Sequence, residues 1–159
     1  EEWSVTSSLN TTGSTGQDTL TANWALSGLS SGSINAGMSQ SSGVFTFPST
    51  GIWQVTFNGA YYSNTVTYVD SRFVFARIEV TTDNGSNWID GGYGYQAIYD
   101  GDDNVYAGAT ITKLLDVTDT SNVKVKFTVY TEQVCVMAGG GTGSTGGRTY
   151  ATFIRLGDT

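Results

Sequence analysis

The feature that most restricts the fold is an alternation of apolar and polar residues with a period of two. It is clearest between Ile52 and Tyr61 and again between Val123 and Val129. Side chains that alternate in this way point to opposite faces of a β-strand, so each stretch indicates a strand with one buried face. No stretch of ten or more residues carries the i, i+3, i+4, i+7 spacing of an amphipathic helix. The sequence therefore predicts an all-β protein.

The same alternation assigns the buried face of each strand. The predicted core positions are Trp53, Val55, Phe57, Tyr61, Val74, Ala76, Ile78, Val80, Val123, Val125, Phe127 and Val129. In the closing strand, residues 149–156, the predicted inward side chains are Tyr150, Ile154 and Leu156. Two hairpins are also predicted, because a short turn sequence separates the strands in each case. One joins residues 44–47 to residues 52–61, and the other joins residues 109–117 to residues 123–129.

Roughly eight to ten short strands are expected over 159 residues, a length that suits one domain. A single twisted sheet would leave exposed edges, so two packed antiparallel sheets are expected. The fold class is therefore a two-sheet antiparallel sandwich of the jelly-roll or immunoglobulin type. Residues 43–159 form the predicted head, preceded by a Ser-, Thr- and Gly-rich arm and first strand over residues 1–42. Because disordered segments are poor in aromatic residues, the presence of Trp3 and Trp24 predicts that the arm docks.

Composition excludes several kinds of chemistry. The chain has 7 Lys+Arg against 14 Asp+Glu and a net charge of −7, so no basic surface is expected for nucleic acid. The absence of His excludes a Ser-His-Asp triad and any His-ligated metal. The single cysteine, Cys135, cannot form an internal disulfide and is expected to be a small buried apolar side chain.

Enzyme activity and membrane insertion are not expected either. A glycosidase needs only two carboxylates at a suitable separation, so the lack of histidine does not exclude one. Glu79 and Glu132, however, both lie in alternating strand contexts. The longest apolar runs are too short to span a bilayer, and no charged-then-apolar signal sequence opens the chain.

The strand at residues 72–80 is apolar on both faces over its first half. Phe73 and Phe75 lie on the face opposite to Val74 and Ala76. A strand of this kind needs a cover on its outer side, and a neighbouring subunit is the simplest cover. Phe73 and Phe75 are therefore predicted to lie at a subunit interface, and the chain is predicted to self-associate.

A group of tyrosines follows, in a stretch that is expected to form loops. Tyr93, Tyr95, Tyr99 and Tyr106 lie among Gly and Asp residues. Exposed tyrosine rings can stack on sugar rings while carboxylates bind the hydroxyls, but tyrosine also fills cores and subunit interfaces. Both interpretations stay open. The candidate glycan-binding residues are Tyr93, Tyr95, Tyr99 and Asp102.

An acidic segment at residues 100–104, DGDDN, offers oxygen ligands at alternate positions, as a calcium loop does. It does not match an EF-hand, because the sixth position is Val105 and the twelfth is Ile111. A solvated acidic turn and a low-affinity Ca²⁺ site are the two alternatives. The candidate metal ligands are Asp100, Asp102 and Asp103, and no other cofactor is expected.

Three segments resemble a known family when their residues are taken in order. The sequence GVFTFPSTGIWQVTF, residues 43–57, resembles the G-x-F-x-x-P-x-x-G-x-Y-x-x-x-F hairpin of the globular heads of complement C-one-q, with Trp53 in place of the usual Tyr. The ending YATFIRLGD, residues 150–158, is similar to the closing strand of that family. Residues 114–125 match its leucine-rich strand, short turn and D-x-V strand. The resemblance covers residues 43–159.

This resemblance implies a jelly roll of the superfamily shared with tumour necrosis factor, whose members are trimeric, and several heads of the family bind calcium. The low-charge Gly/Ser/Thr/Asn style and the FIRLGDT ending are similar to versions of the fold in tailed bacteriophages, especially marine ones. The function implied is a non-enzymatic virion protein, either a capsid decoration or a tail-fibre head. Its expected location is the virion surface, and its expected partners are two further copies of itself, other virion proteins and a host-surface glycan. The alternative is a secreted, lectin-like cellular module of the same fold.

Overall fold

A computed structural model describes residues 1–13, 16–27, 37–63, 72–98, 105–140 and 148–159. These residues form two antiparallel sheets that pack face to face, and no α-helix occurs among them. The predicted all-β sandwich is confirmed. The described strands number thirteen, more than expected, because residues 1–42 contribute five short strands, most of which alternation could not reveal.

The seven-stranded sheet has the order β2-β12-β7-β13-β1-β4, with β10 paired to the other side of β7. Its strands are β1 (Glu2–Val5), β2 (Leu9–Asn10), β4 (Trp24–Leu26), β7 (Gly51–Ser63), β10 (Val105–Val117), β12 (Val136–Met137) and β13 (Tyr150–Gly157). The six-stranded sheet has the order β5-β6-β11-β8-β9, with β3 also paired to β11. Its strands are β3 (Asp18–Thr19), β5 (Ser39–Ser41), β6 (Val44–Thr46), β8 (Phe73–Thr81), β9 (Ile89–Ala97) and β11 (Lys124–Thr131).

Aromatic rings fill the space between the sheets. Phe57 of β7 stacks on Phe127 of β11 with ring centroids 4.7 Å apart, which joins the two sheets directly. Phe45 and Phe153 lie 5.2 Å apart beside this pair. All twelve core positions predicted from the alternation are buried. The strands therefore present the faces that the sequence indicated, and burial of these rings is the main source of stability.

The two predicted hairpins are wrong. β6 and β7 lie in different sheets, because β6 pairs with β5 and β11 while β7 pairs with β10, β12 and β13. β10 and β11 are separated in the same way, since β11 pairs with β8. Each short connection crosses from one sheet to the other. Alternation identifies a buried face but does not say which strand lies beside it.

The closing strand has the opposite register from the one predicted. Ala151 and Phe153 are fully buried, whereas Ile154 is 48% and Leu156 is 55% exposed. The prediction followed the larger number of apolar residues on one face. The structure buries the face with the small Ala151, because Phe153 stands between Phe45 and Phe47 in the core.

The arm docks on the sandwich, as its tryptophans predicted. β1 pairs with β13 and with β4, which extends the seven-stranded sheet. Trp24 is buried, and its ring centroid lies 5.2 Å from that of Phe45. The Trp24 Nε1 donates to the Leu20 carbonyl at 2.9 Å, which satisfies the polar atom that its burial would leave without water.

At one edge of the sandwich, β9 and β10 lie very close together although they belong to different sheets. A Cβ atom on Gly94 would overlap the Thr110 carbonyl, and a Cβ on Gly92 would contact the Ile111 side chain. With glycine at these two inward positions, the β9 backbone can approach β10. Tyr93 and Tyr95, which alternate with these glycines along β9, therefore point outward.

Candidate functional site: the two outer faces

Five aromatic residues project from the outer side of the six-stranded sheet. Register places Phe75 opposite both Tyr95 of β9 and Tyr130 of β11, and Phe73 belongs to the same side of β8. Tyr93 is next on β9. We call these residues the aromatic face, and its members are Phe73, Phe75, Tyr93, Tyr95 and Tyr130.

The rings of the aromatic face form two groups with different orientations. Tyr130 is stacked against both phenylalanines, at 5.0 Å and 12° from Phe75 and at 5.8 Å and 24° from Phe73. Tyr93 and Tyr95 are stacked on each other at 5.8 Å and 26°. Tyr95 is inclined by 59° to Phe73 and 63° to Phe75. It is 61% exposed, the most open ring of the group.

A charge network continues the aromatic face along the same side of the sheet. The Arg77 guanidinium contacts Glu79 Oε1 at 2.9 Å and Asp90 Oδ1 at 2.9 Å. Glu79 also accepts a hydrogen bond from Thr128 Oγ1 at 2.6 Å and lies 3.6 Å from Lys126 Nζ. Although Glu79 lies on an outward position, it is only 7% exposed. Its burial is tolerated because two cations and a hydroxyl surround it.

The network raises the pKa of two residues, Arg77 and Tyr93. Burial lowers the pKa of Arg77, but hydrogen bonding to Tyr93 and the charges of Glu79 and Asp90 outweigh this and raise the pKa. The hydrogen bond that the Tyr93 hydroxyl donates to Asp90 raises the pKa of Tyr93 above its usual range. Tyr93 therefore stays a neutral donor near neutral pH, and the Arg77 guanidinium stays charged.

A second ion pair lies at the other end of the aromatic face. Arg72 and Glu132 form a bidentate pair, and the Arg72 amide N also donates to Glu132 Oε2 at 2.7 Å. These hydrogen bonds lower the pKa of Glu132. The Arg72 side chain is 81% exposed, which leaves guanidinium donors open to solvent beside Phe73.

The structure brings together only some of the residues predicted for glycan binding. Tyr93 and Tyr95 are neighbours, but they lie on strand β9 and not in a loop as predicted. Tyr106 lies on β10 in the other sheet, where its ring is 5.9 Å from that of Tyr62. The remaining candidates lie outside the described residues, and they are Tyr99 and Asp102 for glycan and Asp100, Asp102 and Asp103 for calcium.

The cover expected over Phe75 comes from the chain itself. Phe75 is 6% exposed, and the rings of Tyr93, Tyr95 and Tyr130 lie 5.0–5.5 Å from it. Three tyrosines on the adjacent strands therefore cover Phe75 within one chain, and its placement at a subunit interface stays a prediction. Phe73 is half-buried, and its placement at an interface stays a prediction.

Sequence reasoning missed Tyr130 and Asp90 as members of this surface. Tyr130 and Thr128 share the outer side of β11, and alternation with Val129 does carry that signal. The pairing of β8 with both β9 and β11 carries the rest. Because strand neighbours are set by topology, no local pattern could have placed Tyr130 beside Phe75.

The outer side of the seven-stranded sheet is different in character. Residues that are paired across β10, β7 and β13 form rows that run across the sheet. Three successive outward-facing rows contain no charged residue, and we call them the uncharged face. Its residues are Asn58, Thr110, Tyr150, Thr56, Thr112, Thr152, Gln54, Leu114 and Ile154. Leu114 is 57% and Ile154 is 48% exposed, on the two strands that flank β7.

No group of three acidic or thiol side chains that could hold a metal ion occurs in the described part of the chain. No helix long and apolar enough to cross a membrane is present in that part either.

Comparison with solved structures identifies the architecture. The Eiger TNF of S. frugiperda superposes with a TM-score of 0.55 at 9% identity, over 76% of this chain and 68% of that one. Murine APRIL, in a crystal structure at pH 5.0, superposes with a TM-score of 0.52 at 7% identity, over 76% of this chain and 78% of that one. The chain has a tumour-necrosis-factor-like jelly roll. This confirms the fold that the sequence resemblance implied.

At such low identity the superpositions show this jelly roll and nothing finer. No family model matches the sequence, and no curated protein matches it. The two outer faces of this jelly roll are therefore the features that bear on its function.

Proposed function

We propose that the chain is a non-enzymatic structural head of a bacteriophage virion. It assembles as a homotrimer, decorates the capsid or ends a tail fibre, and attaches to glycan on the host surface. The tumour-necrosis-factor-like jelly roll supports a binding and assembly role. The low-charge Gly-, Ser- and Thr-rich sequence and its FIRLGDT ending support the virion assignment.

The observation that carries self-association is the uncharged face. Leu114 and Ile154 are exposed apolar side chains on the same row, separated by the short polar Gln54. Interfaces between copies are depleted of charge at their centre, because unpaired charges lose hydration there. Threonines at the next row can exchange hydrogen bonds across an interface as Thr56 and Thr112 do within the sheet, at 2.8 Å.

Light scattering after size exclusion tests the assembly. At micromolar concentration the parent is expected to have three times the mass of one chain. The double variant Leu114→Lys/Ile154→Lys is expected to elute as a folded monomer, because it places six charges in the trimer interface. Tyr95→Lys is the matched control on the aromatic face and should leave the trimer intact. A parent that is monomeric contradicts self-association, and a trimer lost only in Tyr95→Lys contradicts the choice of face.

Antibody labelling tests the virion assignment. Gold-labelled antibody against the chain is expected to decorate purified phage particles at the capsid or at the fibre tips, with the same distribution on every particle. Protein found only in the medium, with no particle labelled, favours the secreted lectin-like alternative. Either location leaves the chemistry of the aromatic face to be tested separately.

A further inference from the structure

We infer that Tyr95 is the stacking platform for one neutral pyranose ring, with one of the two flanking ion pairs as its hydroxyl partner. The inference rests on the proposed attachment function and gives it a site and a ligand class. It moves the contact from the loops to the outer side of the six-stranded sheet.

The orientation of the rings identifies Tyr95 among the five. Tyr93 stacks on one side of it at 26°, while the two phenylalanines meet it at about 60° with their edges. With 61% of Tyr95 exposed, its second ring face is the one open to solvent. Tyr93, Phe73 and Phe75 pack around Tyr95, so its ring is held in place before any ligand binds.

The chemistry of a pyranose fits such a platform. One side of the ring carries several C–H groups and is apolar, while the hydroxyls project around the rim. An exposed aromatic face binds the C–H side, and planar charged groups at the margins bind pairs of hydroxyls. The aromatic face has these groups at both ends, with Arg72 and Glu132 at one and Asp90, 49% exposed in its side chain, at the other.

The local charge balance selects a neutral sugar. Three cations and three carboxylates form the ion pairs at the two ends of the aromatic face, and they are Arg72, Arg77, Lys126, Glu79, Asp90 and Glu132. Each of these three cations is already paired with a carboxylate, so the two ends of the aromatic face offer no excess positive charge to a sialic acid or uronic acid. The whole chain carries −7, which further disfavours an anionic ligand.

A peptide or a second copy would use this surface differently. Either would need a longer apolar area than one open ring, because Phe75 is already covered and Phe73 is half-buried. A single exposed aromatic ring between polar groups matches the size of one sugar residue. Affinity for one pyranose is expected near millimolar, and three copies in a trimer would strengthen attachment by avidity.

Saturation-transfer NMR with the full chain tests the site directly. The probes are the methyl pyranosides of glucose, galactose and mannose, each titrated to tens of millimolar. At least one is expected to bind, with the strongest transfer at the protons of its C–H face. Tyr95→Ala is expected to weaken that binding at least tenfold, and Tyr95→Phe to change it less than twofold. Because Tyr95 is exposed, thermal melts should show that both variants fold.

Tyr106→Ala is the matched control. Tyr106 is also a strand tyrosine, 70% exposed, but it lies on the other sheet, so its loss is expected to leave binding unchanged. Sugar binding that survives Tyr95→Ala, or that Tyr106→Ala reduces equally, overturns the assignment. Binding of none of the three probes overturns it as well. If Tyr95→Ala trimers attach to host cells as strongly as the parent, attachment stands and only this site falls. If the parent trimer attaches to no host cell, the attachment part of the proposed function falls independently.

Discussion

The two outer faces of the sandwich are built from the same pleated geometry but carry opposite chemistry. Three successive rows of the seven-stranded sheet have no charged residue and are threonine-rich. The six-stranded sheet carries five aromatic rings, a network of four charged residues and a separate Arg72–Glu132 ion pair. A surface without charge can be buried against a copy of itself at little desolvation cost, whereas a surface of paired charges and open rings is better kept in water.

This difference separates assembly from recognition. If trimerisation uses the uncharged face, the aromatic faces of three subunits stay accessible. Recognition can then change by substitution at a few exposed positions without loss of the trimer. Substitutions on either face can therefore test this separation of assembly from recognition.

Phe75→Asp is expected to give the largest change. It removes a ring packed against three tyrosines and places a carboxylate where 6% of the residue is exposed. Loss of packing together with an unpaired buried charge is expected to cost about 4 kcal/mol or more in the free energy of unfolding. Urea denaturation measures it. Tyr106→Asp, at a 70% exposed position outside both faces, is the control, and its effect should be about 0.5 kcal/mol. Equal effects would mean that Phe75 is not enclosed by its own chain.

Trp53→Ala tests the core that lies between the faces. Trp53 is 1% exposed, and its ring centroid lies 5.3 Å from that of Phe47. Its Nε1 donates to the Ser49 carbonyl at 3.1 Å. Its removal is expected to cost about 3–5 kcal/mol, through lost transfer free energy and the cavity that remains. Calorimetry is the measurement. A melting temperature within a degree or two of the parent would show that the register of β7 is wrong.

Glu79→Ala and Glu132→Ala compare the two ion pairs of the six-stranded sheet. Glu79 is 7% exposed and faces Arg77 and Lys126, so its loss leaves buried positive charge and is expected to cost about 1–3 kcal/mol. Glu132 pairs with an arginine whose side chain is 81% exposed, and its loss is expected to cost clearly less than the loss of Glu79, because solvent screens the pair. Chemical denaturation of both variants at low and high salt measures the two losses in the free energy of unfolding. A larger cost for Glu132→Ala would reverse this order.

The smallest expected effect is a pH dependence at the turn between β8 and β9. Hydrogen bonds from the Asn87 side chain and amide, and then from Thr81, lower the pKa of Asp83 to about 2. A carboxyl with a pKa below its unfolded value stabilises the fold above pH 4, and this contribution is lost as the pH falls toward 2. Asp83→Asn should therefore flatten the acid side of the melting-temperature profile between pH 4 and pH 2. An unchanged profile would place the acid sensitivity elsewhere.

Much of the fold could be predicted because each strand shows its buried face locally. Trp53, Phe57 and Phe127 were assigned inward from alternation alone and are buried. The closing strand was assigned the wrong way round because its more apolar face is outside. Local hydrophobicity there competes with the space available beside Phe45 and Phe47, and only the packed core decides that competition.

The candidate site was predictable in part for the same reason. Tyr93 and Tyr95 are two of the tyrosines that the sequence offers as candidates, and they share one side of β9. Their strand conformation was missed, because glycine between them suggested loops. Gly94 is required instead by the close approach of β10, a contact between elements of different sheets that no short sequence window contains.

The sequence by itself determined the all-β class, the inward faces of the long strands, the absence of histidine chemistry and a net charge of −7. These properties follow from residue identity and the period of a strand, which are local. Only the tertiary structure decided that β7 and β11 belong to opposite sheets, that Tyr130 and Tyr95 flank Phe75, and that the uncharged rows align. Such decisions depend on which distant strands pair, and pairing is settled by the cooperative burial of the whole core.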